Sequence, residues 1–184
     1  MRRRELLPAA GLPLFAQAPA GFAKIWLTHC IQHWADTKEY TMAVFDAMPA
    51  DGMTFKPTPI QQPFGAMMSH LGAANVVYFR AFGLVPVPKE IPASRADLVK
   101  LVNLEDKESV RKYVAATFDY VASVLAKLGQ KDLERTDLNL FANAKPHSGI
   151  DVFLRAYMHT AHHRGALTVY SRMLGKVPPM PYMG

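Results

Sequence analysis

The chain has 184 residues, of which half are apolar, and it carries a formal net charge of +6. This length and composition suit one domain with a single sizeable core. The only cysteine, Cys30, excludes an intrachain disulfide and a thiolate metal cage. The absence of a basic run in residues 19–184 argues against nucleic-acid binding, and no apolar run reaches the roughly 20 residues of a membrane-spanning helix.

The first eighteen residues have the composition of an export signal. Three arginines at positions 2–4 precede an apolar stretch at 6–16, and a small-x-small sequence at 16–18 offers a cleavage site. Pro8 and Pro13 interrupt the apolar stretch, so the segment also fits an N-terminal tail. We expect either export to the periplasm with loss of the segment or a cytoplasmic protein that keeps it. The mass of the protein isolated from its host distinguishes the two.

Four long segments repeat apolar residues every three or four positions, which is the pattern of amphipathic helices. They span about residues 22–48, 63–82, 105–128 and 149–174, and a short extra helix is expected at about 94–101. Gly83 and Gly175 follow the second and fourth long segments, where a left-handed glycine commonly ends a helix. We therefore predict an all-α fold, a four-helix bundle with long Pro-rich connections. This bundle would form a single domain over residues 19–184, after a signal peptide or N-terminal tail at residues 1–18.

The fourth helix carries two histidines at a spacing that suits a metal ion. His159 and His163 lie about 40° apart around a helix, so both imidazoles can reach one ion. His162 lies about 100° from His163 and is expected to pack beside the site. Most histidine pairs at this spacing bind nothing, so a metal site needs a third ligand.

His70 on the second helix is the predicted third ligand, because apolar and small residues share its face. These are Pro63, Ala66, Met67, Ala74, Val77 and Ala81. A lone buried histidine is more often a core residue bonded to a carbonyl, but with the pair it favours a three-histidine site with an open fourth position. A rival set, His29, His33 and Asp36, shares a face of the first helix, and we interpret it as a polar flank.

The segment 159–165, followed by residues 170–175 and two prolines at 178–179, resembles the C-terminal signature of the DinB-like (DNA-damage-inducible) superfamily. The sequence around His70 resembles that family's second helix. The resemblance implies a four-helix bundle, often a homodimer, that binds zinc or nickel through His70, His159 and His163. Members of that superfamily include thiol-dependent S-transferases and isomerases, and many members have no known reaction.

One departure from the signature concerns catalysis: the usual glutamine after the glycine is Ala166, which removes a polar group from the ligand face. The neighbouring Arg164 is expected to pair with an acidic side chain or a helix C-terminus. Gly165 is expected to allow the close approach of another helix.

The expected function is that of a divalent-metal-dependent enzyme, a hydrolase or thiol-type transferase, acting on an unknown small molecule. Tyr170 and Arg155 are candidate substrate-facing residues, because they lie on the same side of the helix as His159, nearly three turns after it and one turn before it. No carboxylate stands beside the proposed ligands as a general base, which disfavours hydrolysis. The alternative is a non-catalytic metal- or ligand-binding bundle, which gains weight if the chain is exported away from cytosolic thiols.

Overall fold

The computed structural model describes residues 21–92, 95–142 and 144–178. Within them lie six α-helices and one 3-10 helix. The α-helices are α1 (Phe22–Ala47), α2 (Phe64–Arg80), α3 (Arg95–Leu101), α4 (Lys107–Leu125), α5 (Gln130–Glu134) and α6 (Gly149–Met173), and the 3-10 helix is Ala50–Thr54. The predicted export segment at 1–18 lies outside the described residues.

The four long helices α1, α2, α4 and α6 form a bundle. Helix α2 packs against α4 and α6, and α1 packs against the same two helices, so α1 and α2 occupy opposite corners. In the centre the Trp34 ring lies 5.2 Å from Phe79, 5.4 Å from Phe118 and 6.4 Å from Phe153, measured between ring centroids. Each long helix supplies one of these rings. The predicted all-α four-helix bundle is therefore confirmed.

Local interactions at the helix ends explain where the helices start and stop. The Asp106 carboxylate accepts the Ser109 N–H at 2.6 Å, which caps α4, and the Ser148 hydroxyl accepts the Asp151 N–H at 3.2 Å, which caps α6. Gly83 and Gly175 have φ angles of 69° and 71°. The left-handed conformation predicted for the glycines after the second and fourth long helices is thus confirmed.

The connections between the long helices contain more structure than the sequence predicted. The long extended loop expected after the first helix includes the 3-10 helix, and the polar connection expected at 130–148 begins with α5. Both were missed because a single turn is too short to show a period. The predicted helix at 105–128 is shorter at both ends, since α4 begins at Lys107 and ends at Leu125.

No helix among the described residues is both long enough and apolar enough to cross a membrane.

Candidate metal centre

Three histidines meet on one side of the bundle, between α2 and α6. The Nε2 atom of His159 lies 3.2 Å from Nε2 of His70 and 3.1 Å from Nε2 of His163. One ring nitrogen from each of the three residues lies within 4.8 Å of the others. These are the three histidines that the sequence predicted to converge.

The packing of α2 against α6 holds the three rings together. His159 and His163 are one turn apart on α6, so their rings lie on the same side of the helix, and His70 reaches them from α2. A buried hydrogen bond joins the two helices nearby, in which the Thr160 hydroxyl donates to the Asn75 side-chain oxygen at 3.1 Å. Both polar groups are fully buried, so this bond fixes how α2 and α6 lie against each other beside the histidines.

Burial keeps two of the imidazoles uncharged. The pKa of His159 is lowered to about 4, mainly because burial disfavours the charged ring, and then because His163 and His70 are close. Burial, and then the nearby His70 and His162, lower the pKa of His163 to about 4. At neutral pH both rings are therefore neutral, the state in which a histidine nitrogen can bind a metal.

Hydrogen bonds alone leave the cluster unsatisfied. A nitrogen of a neutral imidazole has either one proton or one lone pair, so Nε2 of His159 can make only one good hydrogen bond to its two neighbours. Its Nδ1 atom is buried and has no hydrogen-bond partner among the described residues. Ligand nitrogens about 2.0–2.1 Å from one ion lie about 3 to 3.5 Å apart, close to the spacing of these rings. The three residues could therefore hold a metal ion.

The rival set on α1 does not assemble in the same way. The His29 and His33 rings are 6.1 Å apart, and Nδ1 of His33 lies 3.8 Å from the Asp36 carboxylate. Both histidines are exposed. In the part of the chain that the structure describes, only the His70, His159 and His163 group has three ligand atoms within reach of one ion.

His162 lies beside the cluster, as expected. Its ring is exposed and sits 4.9 Å from that of His163 in an edge-to-face arrangement. It has no place among the three converging nitrogens.

The two candidate substrate-facing residues have other partners. The Tyr170 hydroxyl donates to the backbone carbonyl of Gln62 at 3.0 Å, and its ring is almost fully buried. The Arg155 guanidinium donates to the Asp151 carboxylate at 2.8 Å, and the same carboxylate contacts the His147 ring at 2.6 Å. Tyr170 thus anchors α6 to the segment before α2, and a role for Arg155 toward substrate stays a prediction.

Three sequence expectations about the surroundings of the site are wrong. His70 is exposed and does not lie in a buried stripe. Arg164 has no carboxylate partner among the described residues: its guanidinium carbon lies 5.9 Å from the centre of the Tyr40 ring, and Nη1 is buried without a hydrogen bond. Open space surrounds the position of an added Cβ at Gly165, so no helix approaches there.

Tyr78 was not singled out in the sequence, although it lies next to the cluster. Its ring is 5.9 Å from that of His159 in an edge-to-face arrangement. Burial raises the pKa of Tyr78, and the positive charge of Arg155 opposes that shift. Its position two turns after His70 is the signal that would have found it, because residues eight apart share a helix face.

The fold and the site together define a class of protein. It is a four-helix bundle in which three histidines converge between two facing helices. Bundles of this kind build their metal sites from side chains on facing helices. The comparisons with known proteins agree with the bundle fold.

The family model of the DinB superfamily matches residues 33–167. The chain therefore belongs to the DinB superfamily. Among solved structures, a DinB-like protein from Bacillus cereus has a TM-score of 0.68 and 20% identity, with 84% of this chain and 97% of that chain covered. The DinB-like protein YjoA from Bacillus subtilis has a TM-score of 0.63 and 16% identity, with 84% and 96% covered. At these identities the likeness concerns the fold. No curated protein matches the chain.

Proposed function

We propose that this protein is a divalent-metal-dependent DinB-superfamily enzyme in which His70, His159 and His163 hold the ion and leave a coordination position open. The observation that carries the proposal is the spacing of the Nε2 atoms, 3.2 and 3.1 Å, around His159. The low pKa of two of the rings supports it, because neutral imidazoles offer lone pairs without first losing a proton. Zinc or nickel is the proposed ion, since imidazole suits both metals.

A divalent ion on three imidazoles would polarise a bound substrate and lower the pKa of a bound water or thiol. The protein's own contribution is to orient the substrate and to limit water. His70 is exposed, which gives small molecules access to the site from solvent. His159 is half-buried, and the ring of Tyr78 lies 5.9 Å from its ring, which limits the access of water to His159.

Thiol transfer suits the surroundings of the site better than hydrolysis does. Helix α2 contains no acidic residue, and α6 contains only Asp151, whose carboxylate already binds His147 and Arg155. Hydrolysis usually needs a carboxylate or histidine base to take a proton from water, whereas a thiol with a lowered pKa loses its proton without one. A non-catalytic metal- or ligand-binding bundle is the alternative, and it is favoured by Ala166 in place of the usual glutamine.

Metal content is the first test of the proposal. Protein purified without a histidine tag should contain about one zinc or nickel ion per chain after dialysis against either metal, as measured by elemental analysis. The same measurement after treatment with a chelator gives the baseline. Less than about a tenth of an ion per chain after loading would contradict the proposed site.

Activity separates the enzyme from the binding protein. Metal-loaded protein should conjugate a small thiol to an electrophilic probe such as 1-chloro-2,4-dinitrobenzene faster than it cleaves 4-nitrophenyl esters. The chelated protein is the control for both reactions. A fully loaded protein that turns over neither probe would favour the non-catalytic alternative, and faster ester cleavage would favour the hydrolase. A homodimer stays a prediction, which sedimentation of the same sample would test.

A further inference from the structure

A cavity of about 660 Å³ adjoins two of the three histidines. His70 and His163 form part of its wall, and the rest comes from α2, α3 and α4 and the segments beside them. Small-molecule sites in proteins are clefts of roughly 300 to 1,000 Å³ with mainly apolar walls. The volume therefore suits a small molecule that reaches the histidine cluster.

Most side chains in the wall of this cavity are apolar. Those near the middle of α2 and on α3 include Ala66, Ala73, Val76, Val77, Leu98 and Val99. Apolar side chains give no partner to a strongly hydrated ligand, but they stabilise a hydrocarbon group by about 0.8 kcal/mol for each buried CH₂. The wall thus favours a ligand whose body is hydrocarbon.

The wall of this cavity also has polar members, among them Gln62, Arg80 and Tyr113. The side chain of Tyr113 is 5% exposed, and its hydroxyl is buried without a hydrogen-bond partner among the described residues. The missing side chain of Gly72 lets the ring lie against α2, since a Cβ there would be 3.2 Å from Cε1 of Tyr113. Because the hydroxyl is buried, Tyr113 contributes carbon atoms to the wall and adds to its apolar part.

We infer that this cavity binds the body of the substrate, a small molecule that is mainly hydrocarbon. The reacting group lies at the His70 and His163 end. Only the position of the reacting group rests on the proposed function, because the cavity itself does not depend on a bound ion.

A series of straight-chain 2-ketones tests the cavity. The probes are 2-pentanone, 2-hexanone, 2-heptanone and 2-octanone, titrated into ¹⁵N-labelled protein and followed by ¹H–¹⁵N NMR. The affinity should rise about threefold to fourfold for each added CH₂ group, because each one is buried. The shifted amide signals should lie in α2, α3 and α4. Equal affinities along the series, or shifts confined to other helices, would overturn the inference.

Two variants locate the ligand within the cavity. Ala73→Leu should lower the affinity for 2-octanone at least tenfold, because the larger side chain occupies the cavity, whereas Ala35→Leu on the exposed face of α1 should leave it unchanged. An Ala73→Leu variant that binds 2-octanone as tightly as the parent protein would contradict the location of the ligand.

The His159→Ala variant separates this inference from the proposed function, since His159 does not line the cavity. Its affinity for 2-octanone should match that of the parent protein whether or not metal is added. A protein that binds metal but no ketone would contradict the inference about the cavity and leave the proposed metal site intact. Ketone binding by a protein that takes up no metal would contradict the metal site and leave the inference about the cavity intact.

Discussion

Replacement of His159 by alanine should lower the affinity for zinc by more than about 100-fold. Its Nε2 atom is the one that lies within 3.2 Å of both other rings, so its loss removes the middle ligand of the three. Loss of a group that merely orients a ligand typically costs 10- to 100-fold in metal affinity, and loss of a ligand itself should cost more. Competition with a zinc-binding dye measures the affinity directly.

The other two ligands should behave like His159, and their neighbours should not. His70→Ala and His163→Ala are expected to lose zinc to a similar extent. His162→Ala is the matched control, because that ring contacts the ring of His163 from outside the cluster, and its effect should stay below about tenfold. The double variant His29→Ala/His33→Ala tests the rival set on α1 and should bind zinc like the parent.

Thermal unfolding provides a second readout for the same variants. A ligand that binds only the folded state at 100 times its Kd stabilises a protein by about 2.7 kcal/mol. Zinc should therefore raise the Tm of the parent protein and of His162→Ala, but not that of His159→Ala. The circular dichroism of the metal-free His159→Ala variant shows whether it folds. A folded His159→Ala protein that is stabilised by zinc like its parent would refute the three-histidine site.

Helical periodicity predicted the position of the histidine pair because one helix fixes it. Residues four apart on α6 must lie on one side, whatever surrounds the helix, and the rings of His159 and His163 are indeed 4.3 Å apart. The contact with His70 was a weaker prediction, since it required two helices to face each other. The packing of α2 against α6 supplies that condition.

Helical periodicity did not predict that His70 is exposed, because α2 has apolar residues on more than one side. Phe64, Met68, Leu71 and Phe79 form its buried face, whereas smaller residues such as Ala66 and Ala73 line the open cavity. A pattern of apolar residues shows that a face avoids water, but it does not show whether protein or an empty pocket covers that face. Three of the residues predicted to share the apolar face of His70, namely Ala66, Met67 and Val77, instead border the proposed ligand site.

Arg164 was mispredicted because its surroundings come from a distant part of the chain. An arginine in a helix that carries metal ligands is expected to have an acidic partner, since burying a charge without one is costly. In the structure α1 instead presents the ring of Tyr40, 5.9 Å from the guanidinium carbon. Burial lowers the pKa of Arg164, in agreement with this apolar environment. Nothing in the local sequence of α6 points to Tyr40.

The substitution Gly65→Ala should destabilise the fold by about 3 kcal/mol, the upper end of the usual cost of overpacking. Gly65 is buried at the start of α2, and an added Cβ would overlap the carbonyl oxygen of Leu104 and lie 2.9 Å from the methyl carbon of Met53. A backbone carbonyl cannot rotate aside as a flexible side chain does, so the start of α2 must shift. Denaturant unfolding of the metal-free protein measures the change in the free energy of unfolding.

Gly165→Ala is the matched control for this substitution, and it should have the opposite sign. Gly165 lies inside α6, is exposed and has open space where a Cβ would be built. Alanine favours a helix interior over glycine by about 0.5–1 kcal/mol, so the variant should be more stable than its parent. The sequence analysis predicted a close helix contact at this glycine, and such a contact would instead make Gly165→Ala destabilising. The sign of this one measurement therefore decides between a glycine that is required for packing and one that is not.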